Sequence, residues 1–145
     1  MDLSKYPVKL ELRIDWSELD YFGHVNNVQF FKYIQAARIN YLELTGTMEV
    51  HKLTKKGPIL ASCKIDFKQP LYYPGLITIH SRISFIKNSS FGFEHVIVNQ
   101  KNELVAESHD VIVMMDFNTH LKMKIPEDLI QKIEEIEGKS FGPSI

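Results

Sequence analysis

One long apolar segment constrains the fold of this chain more than any other feature. In residues 28–44 the apolar side chains recur at helical spacing, and they cover most of the circumference of the predicted helix. The main stripe consists of Phe30, Ile34, Ala37, Tyr41 and Leu44, and it is widened by Phe31, Tyr33, Ile39 and Leu42. A helix with so little polar surface is buried on several sides, and Gly46 suits its end. We therefore expect the rest of the chain to fold around this helix.

Alternating apolar and polar residues predict five β-strands. The first lies in residues 8–16, where Val8, Leu10, Leu12, Ile14 and Trp16 share one face. Four more follow the helix, after a loop, at residues 58–69, 76–87, 91–100 and 104–117. In the first of these four, the face with apolar residues contains Ile59, Ala61, Cys63, Ile65 and Phe67. Pro126 then begins a short helix that extends to about residue 137.

This order of elements predicts an α+β fold. We expect a five-stranded antiparallel sheet wrapped around a long buried helix, plus a short C-terminal helix. The prediction is one domain over residues 1–145, with its core in about 8–117. Such a sheet has exposed edges, which proteins commonly cover by pairing with a second copy, so a homodimer or homotetramer is expected.

Composition and charge exclude several classes of function. The formal net charge is −1, from 17 basic and 18 acidic residues, which argues against a nucleic-acid partner. The single cysteine, Cys63, precludes an intrachain disulfide and suits a reducing compartment. We see neither a secretory signal nor an apolar stretch long enough to span a membrane. A cytoplasmic protein without a membrane partner is therefore expected.

A short polar segment precedes the apolar helix. It contains Asp20, Gly23, His24, Asn26 and Asn27. Either asparagine is suited to cap the helix, because its side chain accepts from the free N–H groups at a helix start. The capping function alone leaves the acid and the histidine unexplained. A helix N-terminus also polarises a carbonyl oxygen, and a nearby acid serves as a nucleophile or as a base for water. The segment therefore indicates a hydrolase of acyl esters or thioesters.

The motif D-x-x-x-H-V-N-N of residues 20–27, followed by the helix, resembles that of the hotdog-fold acyl-CoA thioesterases, in the 4-hydroxybenzoyl-CoA thioesterase-like superfamily. The resemblance implies hydrolysis of an acyl-CoA thioester to a carboxylic acid and coenzyme A, without a metal or cofactor. It implies that Asp20 acts on the thioester carbonyl, directly or through water. A backbone N–H near Asn27 would polarise the carbonyl oxygen, and His24 and Asn26 would orient the substrate. Each site would lie at a subunit interface.

Two residues depart from patterns in related families. Plant acyl-carrier-protein thioesterases with a similar motif have an asparagine two residues after the acid, where this chain has Phe22. Many relatives also have a glutamate in the helix, where this chain has Gln35. Three alternatives remain open: a thioesterase for acyl-carrier-protein substrates, a hydratase or dehydratase of the same fold, and a non-catalytic module that binds acyl-CoA. The spacing of Asp20 and His24 does not match the D-x-N-x-x-H motif of the hydratases.

Several other residues are candidates for binding. The candidates for contact with the substrate are Ser62, Lys87, Ser89 and Ser90. Arg38 is suited to a phosphate or to a buried ion pair. His80, His95 and His109 lack the spacing of a metal site, so no metal is expected. Cys63 shares the apolar face of its strand and is expected to be a core residue.

Overall fold

The computed structural model describes residues 1–142, so residues 143–145 of the predicted domain lie outside the described part. Its helices are α1 (Asn27–Leu44), α2 (Thr47–Thr54) and α3 (Glu127–Glu137). Its strands are β1 (Val8–Arg13), β2 (Lys56–Phe67), β3 (Leu76–Ile86), β4 (Ser90–Asn99), β5 (Leu104–Asp116) and β6 (Leu121–Lys122). Two single 3₁₀ turns, Leu3–Lys5 and Trp16–Glu18, flank β1.

The strands form one antiparallel sheet in the order β1-β3-β4-β5-β2, and the two-residue β6 pairs with the end of β5. The sheet curls around α1, as the α+β prediction states. The five long strands were predicted, and β6 adds a sixth that has too few residues for a visible alternation. Within residues 1–142, β2 has β5 as its only neighbour, so its other edge is exposed.

The core between sheet and helix consists of two apolar clusters. One surrounds the first half of α1, where Phe30, Ile34 and Ala37 pack against Ile77 and Ile97. The other surrounds the second half and also includes residues of α3. Its members include Tyr41, Leu42, Ile83, Phe91, Phe93, Leu129 and Ile133. The clusters hold α1 along its length, so its N-terminus has a fixed position at one end of the sheet.

The predicted stripe of α1 is confirmed in its first four members. Phe30, Ile34, Ala37 and Tyr41 are at most 3% exposed. The prediction is wrong for Leu44, which is 57% exposed because it lies in the last turn, beyond the layer that Tyr41 buries. Val28 and Phe31 are also exposed, so α1 keeps an apolar strip that this chain does not cover.

Trp16 does not continue the inward face of β1. The strand ends at Arg13, and Trp16 is 70% exposed in the 3₁₀ turn that follows. The cause is a capping box, in which the Asp15 side chain accepts from the N–H of Ser17 and the Glu18 side chain accepts from the N–H of Asp15. These local hydrogen bonds end the strand, whereas the alternation of apolar residues continues through it.

A β-bulge between Leu60 and Ser62 corrects the predicted face of β2. Leu60 lies opposite Ile112 and Cys63 opposite Asp110, and both partners are buried on the helix side. Leu60 and Cys63 therefore face inward, whereas Ile59 lies on the other face, because the extra residue reverses the alternation. The segment before β2 also differs from the predicted loop, since it forms α2 after a turn at Gly46, whose φ is 77°.

Candidate active site

The loop that carries Asp20 is a narrow turn between β1 and α1. Leu19 and Val25 form an isolated antiparallel bridge, and the N–H of Asp20 donates to the carbonyl oxygen of His24 at 2.7 Å. The N–H of Gly23 donates to the carbonyl oxygen of Asp20, and the φ of Gly23 is 83°, a conformation that favours glycine. Asp20 and His24 therefore lie on opposite arms of one turn.

Only one of the two carboxylate oxygens of Asp20 accepts hydrogen bonds from residues 1–142. Its Oδ1 accepts from the backbone N–H of Phe22 at 2.8 Å and from that of His24 at 3.2 Å. Among residues 1–142, Oδ2 accepts no hydrogen bond, and the side chain is half-buried. One oxygen thus fixes the orientation of the carboxylate, and the other is available to a ligand or to water. This geometry suits a nucleophile or a general base.

Three hydrogen bonds anchor the loop to the rest of the fold. The N–H of Val25 donates to the carbonyl oxygen of Leu71 at 2.9 Å, and that of Asn26 donates to the carbonyl oxygen of Glu18 at 2.8 Å. The hydroxyl of Tyr33, on α1, donates to Oε1 of Glu18 at 2.6 Å. Burial, with the hydrogen bond to Glu18, raises the pKa of Tyr33, so its hydroxyl stays protonated as a donor. The position of Asp20 is therefore held by the loop between β2 and β3, through Leu71, and by α1, through Tyr33.

The imidazole of His24 contacts an aromatic ring from a second loop. It meets the ring of Tyr72 edge to face, with 5.2 Å between the ring centroids. This contact limits the rotation of the imidazole beside the Asp20 turn.

The start of α1 combines a capping asparagine with a backbone donor that is free among residues 1–142. Asn26 is the N-cap, since its Oδ1 accepts from the N–H of Val28 at 3.0 Å, as predicted for one of the two asparagines. Asn27, the first residue of the helix, is exposed, and its N–H has no acceptor among residues 1–142. Together with the positive end of the helix dipole, this N–H forms a site for a carbonyl oxygen or an anion.

The other predicted substrate residues lie elsewhere in the chain. Ser62 is exposed on the face of β2 that points away from α1. Lys87 and Ser89 lie in the turn between β3 and β4, and Ser90 begins β4; the N–H of Lys87 donates to the carbonyl oxygen of Ser90. This turn adjoins the cluster at the C-terminal half of α1, at the opposite end of the helix from Asp20. One chain alone does not bring these residues to the Asp20 loop.

Arg38 forms the buried ion pair that the sequence left as one of two possibilities. Its Nη1 donates to Oδ2 of Asp110, on β5, at 2.6 Å. The same carboxylate accepts from Nε2 of His95 at 3.0 Å and from the hydroxyl of Ser108 at 2.8 Å. Nδ1 of His95 in turn accepts from the hydroxyl of Ser81 at 2.7 Å. We call these five residues the polar row, since they cross β3, β4 and β5 between the two apolar clusters.

Burial and hydrogen bonding determine which groups of the polar row are charged. Burial lowers the pKa of His95, so its imidazole is neutral. Burial by itself would raise the pKa of Asp110, but the hydrogen bonds from His95 and Ser108 outweigh it and lower the pKa to about 2. The row therefore contains one carboxylate and one guanidinium.

Cys63 borders this row, 3.8 Å from the hydroxyl of Ser108. Burial, with the charge of Asp110, raises the pKa of its thiol to about 11, which agrees with the predicted core function.

Sequence reasoning missed the partners that hold the site. The contacts of Glu18 could not be predicted, because they depend on a capping box and on Tyr33, which lies in a different element. Asp110 carried a visible signal, since it stands on the inward face of β5 between Ser108 and Ile112, where an acid needs a partner.

Two further findings concern ligands and membranes. Within residues 1–142, no group of three or more histidine, cysteine or acidic residues is arranged to hold a metal ion. In the same range, no helix combines the length and the apolar composition needed to cross a membrane.

Comparisons with known proteins assign the family. The model of the thioesterase-like superfamily matches residues 14–133. The long-chain acyl-CoA thioesterase FadM of Escherichia coli is 21% identical over 130 residues, which cover 89% of this chain and 98% of FadM. The chloroplastic acyl-acyl carrier protein thioesterase ATL3 of Arabidopsis thaliana is 29% identical over 127 residues, which cover 86% of this chain and 66% of ATL3.

A solved structure supports the same assignment at the level of the fold. A thioesterase from Thermus thermophilus, crystallised with coenzyme A and Zn, superposes with a TM-score of 0.83 at 24% identity. The superposition covers 93% of this chain and 97% of the Thermus chain. The chain therefore belongs to the thioesterase-like superfamily, has the hotdog fold, and is a thioester hydrolase.

Proposed function

We propose that this protein is an acyl-CoA thioesterase in which Asp20 acts on the thioester carbonyl. The observation that carries the proposal is that one loop presents both a carboxylate oxygen of Asp20 and the backbone N–H of Asn27, neither of which has a partner among residues 1–142. A hydrolase needs both groups, because one activates the attacking oxygen and the other stabilises the negative charge that develops on the carbonyl oxygen.

The reaction proceeds by one of two routes with the same products. In the first, Asp20 accepts a proton from water as the water oxygen attacks the carbonyl carbon. In the second, Asp20 attacks the carbon itself, and water then hydrolyses the mixed anhydride. In both, the C–S bond breaks, coenzyme A leaves as a thiolate that takes up a proton, and a carboxylic acid is released. The N–H of Asn27 binds the oxyanion, while His24 and Asn26 orient the substrate.

The relatives support coenzyme A as the carrier of the acyl group. FadM is a long-chain acyl-CoA thioesterase and is matched over nearly its whole length. The identity of 29% to ATL3 favours a second candidate, hydrolysis of acyl groups on the acyl carrier protein. Against it, Phe22 stands where the plant motif has an asparagine, and its side chain is 78% exposed.

We also propose that the enzyme works as a homodimer or a homotetramer. The free edge of β2 carries exposed apolar side chains, among them Ile59, Leu60 and Phe67, and α1 adds Val28 and Phe31. A second copy paired along this edge would cover them. It would also bring residues such as Ser62, Lys87, Ser89 and Ser90 near the Asp20 loop of its partner.

The shielded thiol of Cys63 suits action in the reducing cytoplasm.

The test is thiol release, followed with a thiol-reactive dye, from short, medium, long and aromatic acyl-CoA esters. We expect turnover of at least one of them, and the same acyl group on the acyl carrier protein then separates the two carriers. Faster turnover of the carrier-protein form would favour the second candidate. Tight binding of an acyl-CoA without release of thiol would contradict the proposal and indicate a binding module.

A further inference from the structure

A cavity of about 220 Å³ lies between the second half of α1, the helix α2 and the first half of β2. Its walls are largely apolar and include Met48, Leu60 and Ile112, while Arg38 and His51 are its polar lining residues. Within one chain it is separate from the Asp20 loop, because a rise of 1.5 Å per residue puts Arg38 roughly 16 Å along α1 from Asn27. Its Leu60 wall lies on the β2 edge that we propose pairs with a second copy. None of the groups in the proposed chemistry uses this cavity.

Arg38 lines this cavity, and we call the part of its guanidinium that makes no hydrogen bond among residues 1–142 the unused edge. A guanidinium has five N–H donors, and among residues 1–142 the side chain of Arg38 makes one hydrogen bond, from Nη1 to Asp110. The side chain is 11% exposed, and no buried side-chain nitrogen or oxygen in that range lacks a partner. The remaining donors are therefore accessible, and the cavity is the space that Arg38 lines.

The polar row fixes this edge in place. Asp110 is held by His95 and Ser108, and His95 is held by Ser81, so the carboxylate cannot follow a movement of the guanidinium. If Arg38 turned away, a buried carboxylate would lose its positive partner, which is costly. A donor held in one orientation binds an acceptor with little loss of conformational entropy.

We propose that this cavity binds a carboxylate with a short apolar body. The two oxygens of the ligand accept from the unused edge of Arg38, and the body packs against the walls formed by Met48, Leu60 and Ile112. Planar guanidinium and carboxylate groups match in geometry, and an apolar wall excludes a bare inorganic anion as the best ligand. The small size of the cavity suits a short chain or one ring as the apolar body.

The source of the ligand rests on the proposed function, whereas the site itself does not. Thioester hydrolysis releases a carboxylic acid, so the ligand is either this product or the far end of a dicarboxylic acyl group. Both present the same chemistry to Arg38.

The site is tested by titrating the full-length ¹⁵N-labelled protein with hexanoate and, as a matched uncharged probe, with 1-hexanol. We expect saturable shifts of the Arg38 Nε–H signal and of backbone signals from α2, with hexanoate at least about tenfold tighter than 1-hexanol. Tenfold corresponds to about 1.4 kcal/mol. Equal affinity for the two probes, or shifts confined to the Asp20 loop, would overturn the proposal.

Two variants separate the cavity from other anion sites. Met48→Trp fills the cavity without altering the ion pair, and Arg38→Lys keeps a charge for Asp110 but loses the planar fork. Each is expected to weaken hexanoate binding about tenfold or more. The matched control is Arg82→Gln, at the ion pair with Glu94 outside the cavity, which is expected to bind hexanoate as the wild type does. Unchanged binding in Met48→Trp would contradict the proposal, even if Arg38→Lys failed to fold.

Enzyme kinetics distinguish the two sources of the carboxylate ligand. If the ligand is the product, hexanoate inhibits thiol release in the wild type and not in Met48→Trp. If it is the far end of the acyl group, an acyl-CoA with a terminal carboxylate has a higher kcat/KM than its methyl-ended analogue, and Arg38→Lys removes the difference. An enzyme without thioesterase activity that still binds hexanoate at Arg38 would refute the proposed function alone.

Discussion

The ion pair between Arg38 and Asp110 gives the sharpest prediction about stability. Asp110→Asn keeps the shape of the side chain but removes the charge, and an amide cannot accept from Arg38, His95 and Ser108 as the carboxylate does. The guanidinium of Arg38, 11% exposed, is then left without a negative partner. Breaking a buried pair in this way costs about 3–5 kcal/mol.

The pKa of Asp110 measures a different contribution, namely the hydrogen bonds that its carboxylate accepts from His95 and Ser108. Its ordinary value is 3.8, and the folded protein lowers it to about 2, a difference that corresponds to about 2 kcal/mol. Since the carboxylate is favoured in the folded state, this stability is present above pH 3.8 and is lost as the pH falls toward 2. The Asn variant costs more because it also leaves Arg38 without a negative partner.

Urea unfolding at pH 7 measures this cost directly. We expect Asp110→Asn to lower the free energy of unfolding by about 3–5 kcal/mol, a large part of the about 5–15 kcal/mol typical of a domain. The double variant Arg38→Met with Asp110→Asn is expected to recover part of the loss, because no unpaired charge remains. A loss below about 1 kcal/mol in the single variant, or a strictly additive double variant, would refute the reasoning.

Three further predictions concern the helix start, the core and the pH dependence. Asn26→Ala removes the cap on Val28 and is expected to lower the free energy of unfolding by about 1 kcal/mol, measured in urea. Gly92→Ala would put a Cβ 2.1 Å from Cε2 of Phe85, so we expect a loss of about 1–3 kcal/mol and a lower Tm; a neutral effect would show that Phe85 moves freely. Burial lowers the pKa of His95 from 6.5, so below pH 6.5 the unfolded chain takes up a proton that the folded chain does not. His95 should therefore make stability fall with decreasing pH by up to about 1.4 kcal/mol per unit. His95→Gln should remove this contribution and leave that of His80, whose pKa burial also lowers.

Local periodicity was enough to predict most of the fold. The alternation in β3, β4 and β5 and the stripe of α1 record which face is buried, and burial dominates the choice of residues there. The predictions were wrong where a local interaction overrides that pattern. Trp16 is exposed because the capping box of Asp15 and Glu18 ends β1, and Ile59 faces away from α1 because of the bulge before Ser62.

The site was only partly predictable, for a physical reason. Asn26 as the cap follows from local chemistry, and Asp20 as the acid came from the resemblance of residues 20–27 to a family. The hydrogen bonds of Asp20 and the pair of Arg38 with Asp110, 72 residues apart, depend on how distant elements meet. A sequence pattern carries information about neighbours along the chain and little about contacts of this kind.

The most direct test of the proposed chemistry is kcat/KM for thiol release by Asp20→Asn on the best acyl-CoA substrate. Asn retains an Oδ1 acceptor for the N–H groups of Phe22 and His24, so the turn should stay folded. The control is Asp15→Asn, at a similar turn before the site.

We expect kcat/KM of Asp20→Asn to fall by about 10²–10⁴-fold, as for the loss of a general base, with the circular dichroism spectrum unchanged. Asp15→Asn should stay near wild-type activity. Asp20→Asn activity within a few-fold of the wild type would contradict the assignment of Asp20 to the reaction.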